Sequence, residues 1–272
     1  MTEKLETTRR GALGTMTVGA MAVGALAAAG AMPVAAQGAP KTFVLVHGAW
    51  HGGWCWRRVS DLLEKKGHKV FTPTMTGLGS CSHLISKDVN LTTHITDIAN
   101  FIKWENLSDI VLVGHSYGGI IISGVAEQLS DKISSIVFLD AFMPENGDSL
   151  AEKAAPAFKD AIAAAVARGD VSLKAPPAAA FGVAEADRPW VDGKCTPQPI
   201  STYIEKAVYT GGRDKIAKKT YIRAKGYAGP AFDAALAKTK ADPSWKTHEM
   251  TSGHDAMVIQ PQELTELLLQ AV

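Results

Sequence analysis

The stretch Val111-Leu112-Val113-Gly114-His115-Ser116-Tyr117-Gly118-Gly119 decides how this chain is read. A β-branched apolar run enters Gly-x-Ser-x-Gly, and the residues after it, through 129, have the pattern of a helix. A serine at such a strand-to-helix turn sits in a strained backbone conformation that lifts its hydroxyl clear of the sheet. Glycines two before and two after keep neighbouring atoms from colliding. The motif is weak alone and strong in this context.

Short apolar runs and amphipathic segments alternate on either side of it. Residues 42–46, 69–72, 109–113, 133–139, 219–223 and 245–250 read as strands. Residues 59–66, 91–104, 117–129, 232–239 and 262–272 read as helices, the second with Ile95, Ile98, Ala99 and Ile102 at helical spacing. This rhythm predicts an α/β fold, a mostly parallel sheet wrapped by helices. It breaks over residues 141–212, which are rich in alanine and proline and read as helices without strands, an inserted helical cap.

A serine hydroxyl is a poor nucleophile at neutral pH and needs a base with an orienting acid. Only His248 and His254 follow Ser116; His248 falls inside a strand, whereas His254 lies just past that strand's end in Thr251-Ser252-Gly253-His254-Asp255. Parallel sheets place their sites at the carboxyl ends of strands, so His254 is the expected base. For the acid, Asp140 directly follows a strand and is preferred over Asp233; Asp255 is expected to be a solvated loop residue. After the first strand, His47-Gly48-Ala49-Trp50-His51-Gly52-Gly53-Trp54 can aim a backbone amide at an oxyanion, which makes Ala49 and Tyr117 the expected donors. His51 either packs this loop or faces substrate. Phe142, Met143, Phe181 and Trp190 either line the pocket or form the cap's own core.

The segments Phe43-Val44-Leu45-Val46-His47-Gly48-Ala49-Trp50-His51-Gly52-Gly53-Trp54, Gly67-His68-Lys69-Val70 and Val113-Gly114-His115-Ser116-Tyr117-Gly118-Gly119 resemble an α/β-hydrolase of the branch holding plant methyl esterases, hydroxynitrile lyases and bacterial serine carboxylesterases. The resemblance implies Ser116 as nucleophile, His254 as base, and Ala49 and Tyr117 as oxyanion donors. The lyases carry a threonine after the first histidine and a lysine after the catalytic one, where this chain has Gly48 and Asp255. Ester hydrolysis is therefore preferred over cyanohydrin cleavage. In the plant enzymes the acid comes from the later strand, and their Phe-Leu-Ala-Ala-Phe-Met-Pro is Phe138-Leu139-Asp140-Ala141-Phe142-Met143-Pro144 here. The earlier position resembles some haloalkane dehalogenases, but those use an aspartate nucleophile where Ser116 stands.

Composition narrows the remaining classes. With 28 Lys+Arg, 27 Asp+Glu and a net charge of +1, the chain offers no footprint for nucleic acid. Three cysteines make neither a disulfide scaffold nor a zinc motif, and they read as small hydrophobes. The chemistry needs neither metal nor cofactor, and the expected partner is a small-molecule ester. Residues 11–36 are uncharged and rich in alanine and glycine; Thr7-Thr8-Arg9-Arg10 precedes them and Val34-Ala35-Ala36 closes them. Residues 1–36 thus read as a twin-arginine signal peptide, recognised by that export machinery and cleaved, which places residues 37–272 in the periplasm or outside the cell without a stable membrane anchor. The alternatives are a lactonase or amidase, a carbon–carbon lyase on the same triad, and a non-catalytic exported binding protein.

Overall fold

The structure, a computed structural model, describes residues 39–272, and the leader reading of residues 1–36 lies outside them. Six strands form one sheet: β1 (Thr42–Val46), β2 (Lys69–Phe71), β3 (Ile110–His115), β4 (Ile133–Leu139), and, after the cap, β7 (Lys218–Ala224) and β8 (Trp245–Met250). Their order is β2-β1-β3-β4-β7-β8, and every pairing is parallel. Parallel strands need helical crossovers and are covered on both faces, which is why β1 and β3 are near-continuous apolar runs rather than alternating ones. Phe43 to Val46 and Ile110 to Val113 are all fully buried, each side chain contributing roughly 1.5–3 kcal/mol.

The helices dress this sheet. On α1 (Arg57–Lys65), Val59 and Leu63 face inward. The helix stops where Gly67 takes a φ of 84°, a left-handed turn that costs a glycine nothing. Asn90 and Thr93 cap α2 (Leu91–Trp104) reciprocally: Asn90 Oδ1 accepts from the Thr93 amide at 2.9 Å and Thr93 Oγ1 from the Asn90 amide at 3.3 Å. The helix after the serine turn, α3 (Gly118–Leu129), is buried over most of its circumference. Its Gly124 lies against Ile95 of α2, where a Cβ would come within 2.3 Å of Ile95 Cδ1. No helix among the described residues is long and apolar enough to cross a membrane.

Between β4 and β7 the insertion carries α4 (Leu150–Lys153), α5 (Pro156–Arg168), β5 (Ser172–Leu173), α6 (Arg188–Asp192), β6 (Gln198–Pro199) and α7 (Ser201–Ile204). It differs from the helices-only expectation, because β5 and β6 pair as a short antiparallel ribbon. Two-residue strands leave no periodic signal in a sequence. The insertion is tied to the first loop of the sheet through Trp50, whose amide donates to Gln198 Oε1 (3.1 Å), whose carbonyl accepts from the Thr196 amide (2.9 Å) and whose indole Nε1 donates to the Leu173 carbonyl (3.0 Å). After β7 come α8 (Pro230–Lys240), β8, α9 (Ala256–Ile259) and α10 (Pro261–Gln270).

Two buried histidines stitch the loops at the carboxyl edge of the sheet. His47 Nδ1 donates to the Gly48 carbonyl (2.8 Å) while Nε2 accepts from the Met75 amide (3.2 Å). His94 Nε2 donates to the Thr76 carbonyl (2.8 Å), leaving Nδ1 to accept from the Tyr117 hydroxyl (3.0 Å). Each ring has one nitrogen that must stay unprotonated, and burial lowers His47 to about 3 and His94 to about 4. Unfolding returns both to about 6.5, so between about pH 6 and pH 4 the unfolded chain binds protons that the folded one refuses. Stability therefore falls as the pH falls through that window, by about 1.4 kcal/mol per pH unit for each histidine. Denaturant titration at half-unit steps should show this slope. His94→Gln should reduce it by one histidine's share, and an unchanged slope would exclude His94 as a source.

Candidate active site

The positions of the candidate catalytic groups follow from strand register. His115 at the end of β3 pairs with Leu139 at the end of β4, so Ser116 and Asp140 occupy the equivalent next step on neighbouring strands. Both take left-handed backbone conformations, with φ of 54° and 41°. For residues with a Cβ this costs of order 1–3 kcal/mol and persists only where the surroundings enforce it. Here they do: the Ser116 amide donates to the Leu139 carbonyl (3.2 Å), its carbonyl accepts from the Gly119 and Phe142 amides (3.0 and 3.1 Å), and the Asp140 amide donates to the Ile222 carbonyl (2.7 Å). The turn has no space for side chains at its flanks. A Cβ on Gly114 would lie 2.6 Å from the Gly118 carbonyl oxygen, and one on Gly118 2.9 Å from those of Val46 and His47.

His254, in the loop after β8, completes the set. Its Nε2 is 2.8 Å from Ser116 Oγ and its Nδ1 is 2.6 Å from Asp140 Oδ2. A carboxylate only accepts, so Nδ1 carries the ring proton and Nε2 presents a lone pair to the serine hydroxyl. The imidazole stacks on two neighbouring aromatic rings, Tyr227 at 4.5 Å and Phe232 at 5.1 Å. Its backbone is fixed as well: the His254 amide donates to the Phe181 carbonyl (2.8 Å), and the His254 carbonyl accepts from His115 Nε2 (2.9 Å). His115 is buried, which holds it neutral well below the usual histidine range.

Asp140 is fully buried, and its second oxygen is saturated. Oδ1 accepts from Arg223 Nη1 (2.7 Å) and from the Ala224 amide (3.1 Å). Arg223, only 1% exposed, also donates to Asp233 Oδ1 (3.0 Å) and to the carbonyls of Ala224 and Tyr227. Asp233, the other acid considered from the sequence, is half-exposed and reaches the arginine rather than the imidazole. Arg223 and Tyr227 were missed by sequence reasoning. The available signal was Arg223 set between Tyr221-Ile222 and Ala224 at the end of a strand, since a buried cation demands a nearby anion.

The remaining candidates separate. Tyr117 directly follows Ser116, and Ala49 follows Gly48, where a Cβ would lie 3.0 Å from Ser116 Cβ; among the described residues neither amide is engaged by another group. Serine and imidazole open onto a cavity of about 340 Å³ walled by Trp50, Phe142, Phe158, Phe181, Tyr227 and Phe232. Phe142 and Phe181 thus line it. His51, Trp190 and Met143 do not. His51 is buried behind the wall, stacked on Trp54 at 5.3 Å. Trp190 packs edge-on against Trp54 and beneath the Arg58 guanidinium, 5.0 Å from its ring centre. That guanidinium is held in turn by Asp187 at 2.6 and 2.8 Å. The expected solvation of Asp255 is corrected too, because its side chain is fully buried, 3.1 Å from His51 Nε2. A two-partner contact across 204 residues cannot be seen in local sequence. All three cysteines are free, Cys55 buried and the others half-buried.

A serine, histidine and aspartate borne on the carboxyl edge of a parallel sheet, beside an apolar cavity, define the class of α/β serine hydrolases. The model of a family described as "Alpha/beta hydrolase family" matches residues 43–267, and the chain belongs to that family. The carbendazim hydrolyzing esterase of Nocardioides sp. (strain SG-4G) is 43% identical over 235 residues, 83% of this chain and 97% of that protein. Methylesterase 2 of Arabidopsis thaliana is 38% identical over 118 residues, 39% of this chain and 41% of that protein. Among solved structures, an extracellular α/β-hydrolase from a Paenibacillus species, described as sharing structural and functional homology with tobacco salicylic acid-binding protein 2, superposes with a TM-score of 0.75 at 26% identity, covering 85% of this chain and 99% of that one.

The geometry assigns unequal weights to the two acids. Asp140→Asn should lower turnover by about 10³–10⁴-fold, because an amide favours the wrong imidazole tautomer. Asp233→Asn should change it by less than about tenfold, since it removes only a partly exposed partner of Arg223. Parallel kcat measurements on the two variants decide the matter, and a greater loss in the second would reverse the assignment.

Proposed function

We propose that this carboxylic ester hydrolase works through an acyl-enzyme on Ser116 and takes small, uncharged esters with an apolar or aromatic group. The observation that carries the reading is the Ser116–His254–Asp140 chain of hydrogen bonds opening onto an aromatic cavity. Ser116 Oγ attacks the ester carbonyl carbon as its proton passes to His254 Nε2, and the carbonyl oxygen becomes an oxyanion received by the amides of Ala49 and Tyr117. Each such donor is worth on the order of 3 kcal/mol in the barrier. The imidazolium then returns the proton to the leaving alkoxide, the alcohol departs, and a water deprotonated by the same ring releases the acid. Asp140 orients the ring and stabilises its transient charge.

Hydrolysis is favoured over the lyase alternative by space and charge. At position 48 a Cβ would lie 2.9 Å from His115 Nδ1 and 3.0 Å from Ser116 Cβ, so the threonine of the lyases has no room. The place of their lysine is held by Asp255, whose carboxylate is turned to His51. The cavity wall carries no aspartate, glutamate, lysine or arginine, so a substrate that brings its own charge leaves it unpaired in an apolar space.

Ser116→Ala should abolish hydrolysis of a short-chain aryl ester, and residual turnover within about tenfold of the parent would sink the mechanism. A panel of neutral methyl and aryl esters, with charged analogues and carbendazim as further arms, tests the substrate class. The neutral members should show kcat/KM at least about 100-fold above the charged ones.

We also propose that residues 1–36 export the protein through the twin-arginine route and that residues 37–272 act outside the cytoplasm. Support comes from the Arg9-Arg10 pair ahead of the uncharged stretch and the small residues that close it. Fractionation of a bacterial host expressing the full chain should find esterase activity in the periplasm or medium. Arg9→Lys with Arg10→Lys should retain it in the cytoplasm; unchanged export of the double variant would refute the route.

A further inference from the structure

Beside the reacting triad lies a second histidine–carboxylate pair that the chemistry above leaves unused. His51 and Asp255 are 2% and 0% exposed, and neither lines the cavity. His51 Nε2 is 3.1 Å from Asp255 Oδ2, and Nδ1 is 2.7 Å from the carbonyl oxygen of Ala49. Neither acceptor has a hydrogen to give when the carboxylate is ionised, so both ring nitrogens donate and the ring is an imidazolium. Desolvation opposes this charge, but the carboxylate beside it outweighs the penalty: His51 is raised well above its ordinary range and Asp255 is lowered, the signature of a buried ion pair. Asp255 Oδ1 has no hydrogen-bond partner among the described residues, so this carboxylate is compensated through Oδ2 and His51.

What the pair connects gives it a role. Asp255 follows His254 directly, and the ring opposite it grips the carbonyl of Ala49, the residue read above as an oxyanion donor. The peptide between Ala49 and Trp50 is thereby pinned at both ends, its carbonyl by His51 and its N–H by Gln198 Oε1. The next residue, Trp50, is in the left-handed region at a φ of 64°, a conformation that relaxes unless it is held. We infer that His51 and Asp255 form a buried ionic clamp that holds the oxyanion loop and the His254 loop in register, acting as positioning residues for the Ala49 amide rather than as participants in proton transfer. This inference rests on the esterase reading of Ser116, His254 and Ala49. An oxyanion donor acts over a narrow range, about 2.7–3.1 Å from the developing charge, so a loop that drifts loses rate while substrate still fits its cavity.

The test compares Asp255→Asn, His51→Gln and the double variant with the parent. It reads kcat and KM on a neutral aryl ester and the rate at which a fluorophosphonate labels Ser116. Titration with the same reagent counts folded sites, so kcat is expressed per titrated site. Each single variant should lose about 10- to 100-fold in kcat and in labelling rate, with KM within about threefold of the parent. Because the two side chains act as one device, the double variant should be no more than about threefold slower than the slower single. It also strands no uncompensated buried charge, so it decides the question if the singles fail to fold. Parent-like kcat and labelling, a loss confined to KM, or multiplicative losses in the double variant would each overturn the clamp. Failure of the parent itself to label would instead remove the esterase reading on which it rests.

Discussion

The buried carboxylate of Asp140 is the constraint around which the rest of the site is arranged. A fully desolvated aspartate is tolerable only with its lone pairs occupied and its charge balanced. Three groups on two chain segments meet to do this: His254 from the loop after β8, and the Arg223 guanidinium and Ala224 amide at the end of β7. Each of these contacts is also a statement about geometry. Compensation of the charge fixes the carboxylate plane, the carboxylate fixes the imidazole, and the imidazole points its free lone pair at Ser116.

The same constraint explains how an acid on the strand next to that of Ser116 reaches the imidazole. β3 and β4 are in parallel register, and each ends in one residue of left-handed backbone, so serine and aspartate emerge side by side. His254, entering from the far side of β7, bridges them. β7 itself supplies no acid at its end; it supplies a cation. Arg223 neutralises Asp140 on one side and reaches Asp233 on the other, tying a surface carboxylate to the buried one without bringing the former to the ring.

Much of this was legible in the sequence, and the reasons are physical. Buried parallel strands write themselves as β-branched runs, so the six strands of the main sheet stand where periodicity puts them, within a residue or two. The serine turn is legible because only glycines fit around it, and His254 because it follows a strand. What the residues alone leave open is decided by contacts distant in sequence. His51 and Asp255 are loop residues with nothing local to mark them as buried partners, and Trp190 reads equally well as pocket lining or cap core. The ribbon of β5 and β6 is two residues per strand, too short for any alternation to appear.

The molecule thus uses the same pair of residue types twice, to opposite ends. His115 lies between them, its ring centre 4.6 Å from that of His254 and 6.4 Å from that of His51. In His254 and Asp140 one ring nitrogen faces an acid and the other a hydroxyl, so the ring keeps a lone pair and can accept a proton during the reaction. In His51 and Asp255 the second nitrogen faces a carbonyl, which can only accept, and the ring is therefore already charged. The neutral His115 ring separates the two, its Nε2 spent on the His254 carbonyl. Whether a histidine beside an aspartate is a base or a fixed cation is thus set by the atom opposite its other nitrogen. In this fold that atom is chosen by which strand-end loop the ring sits on.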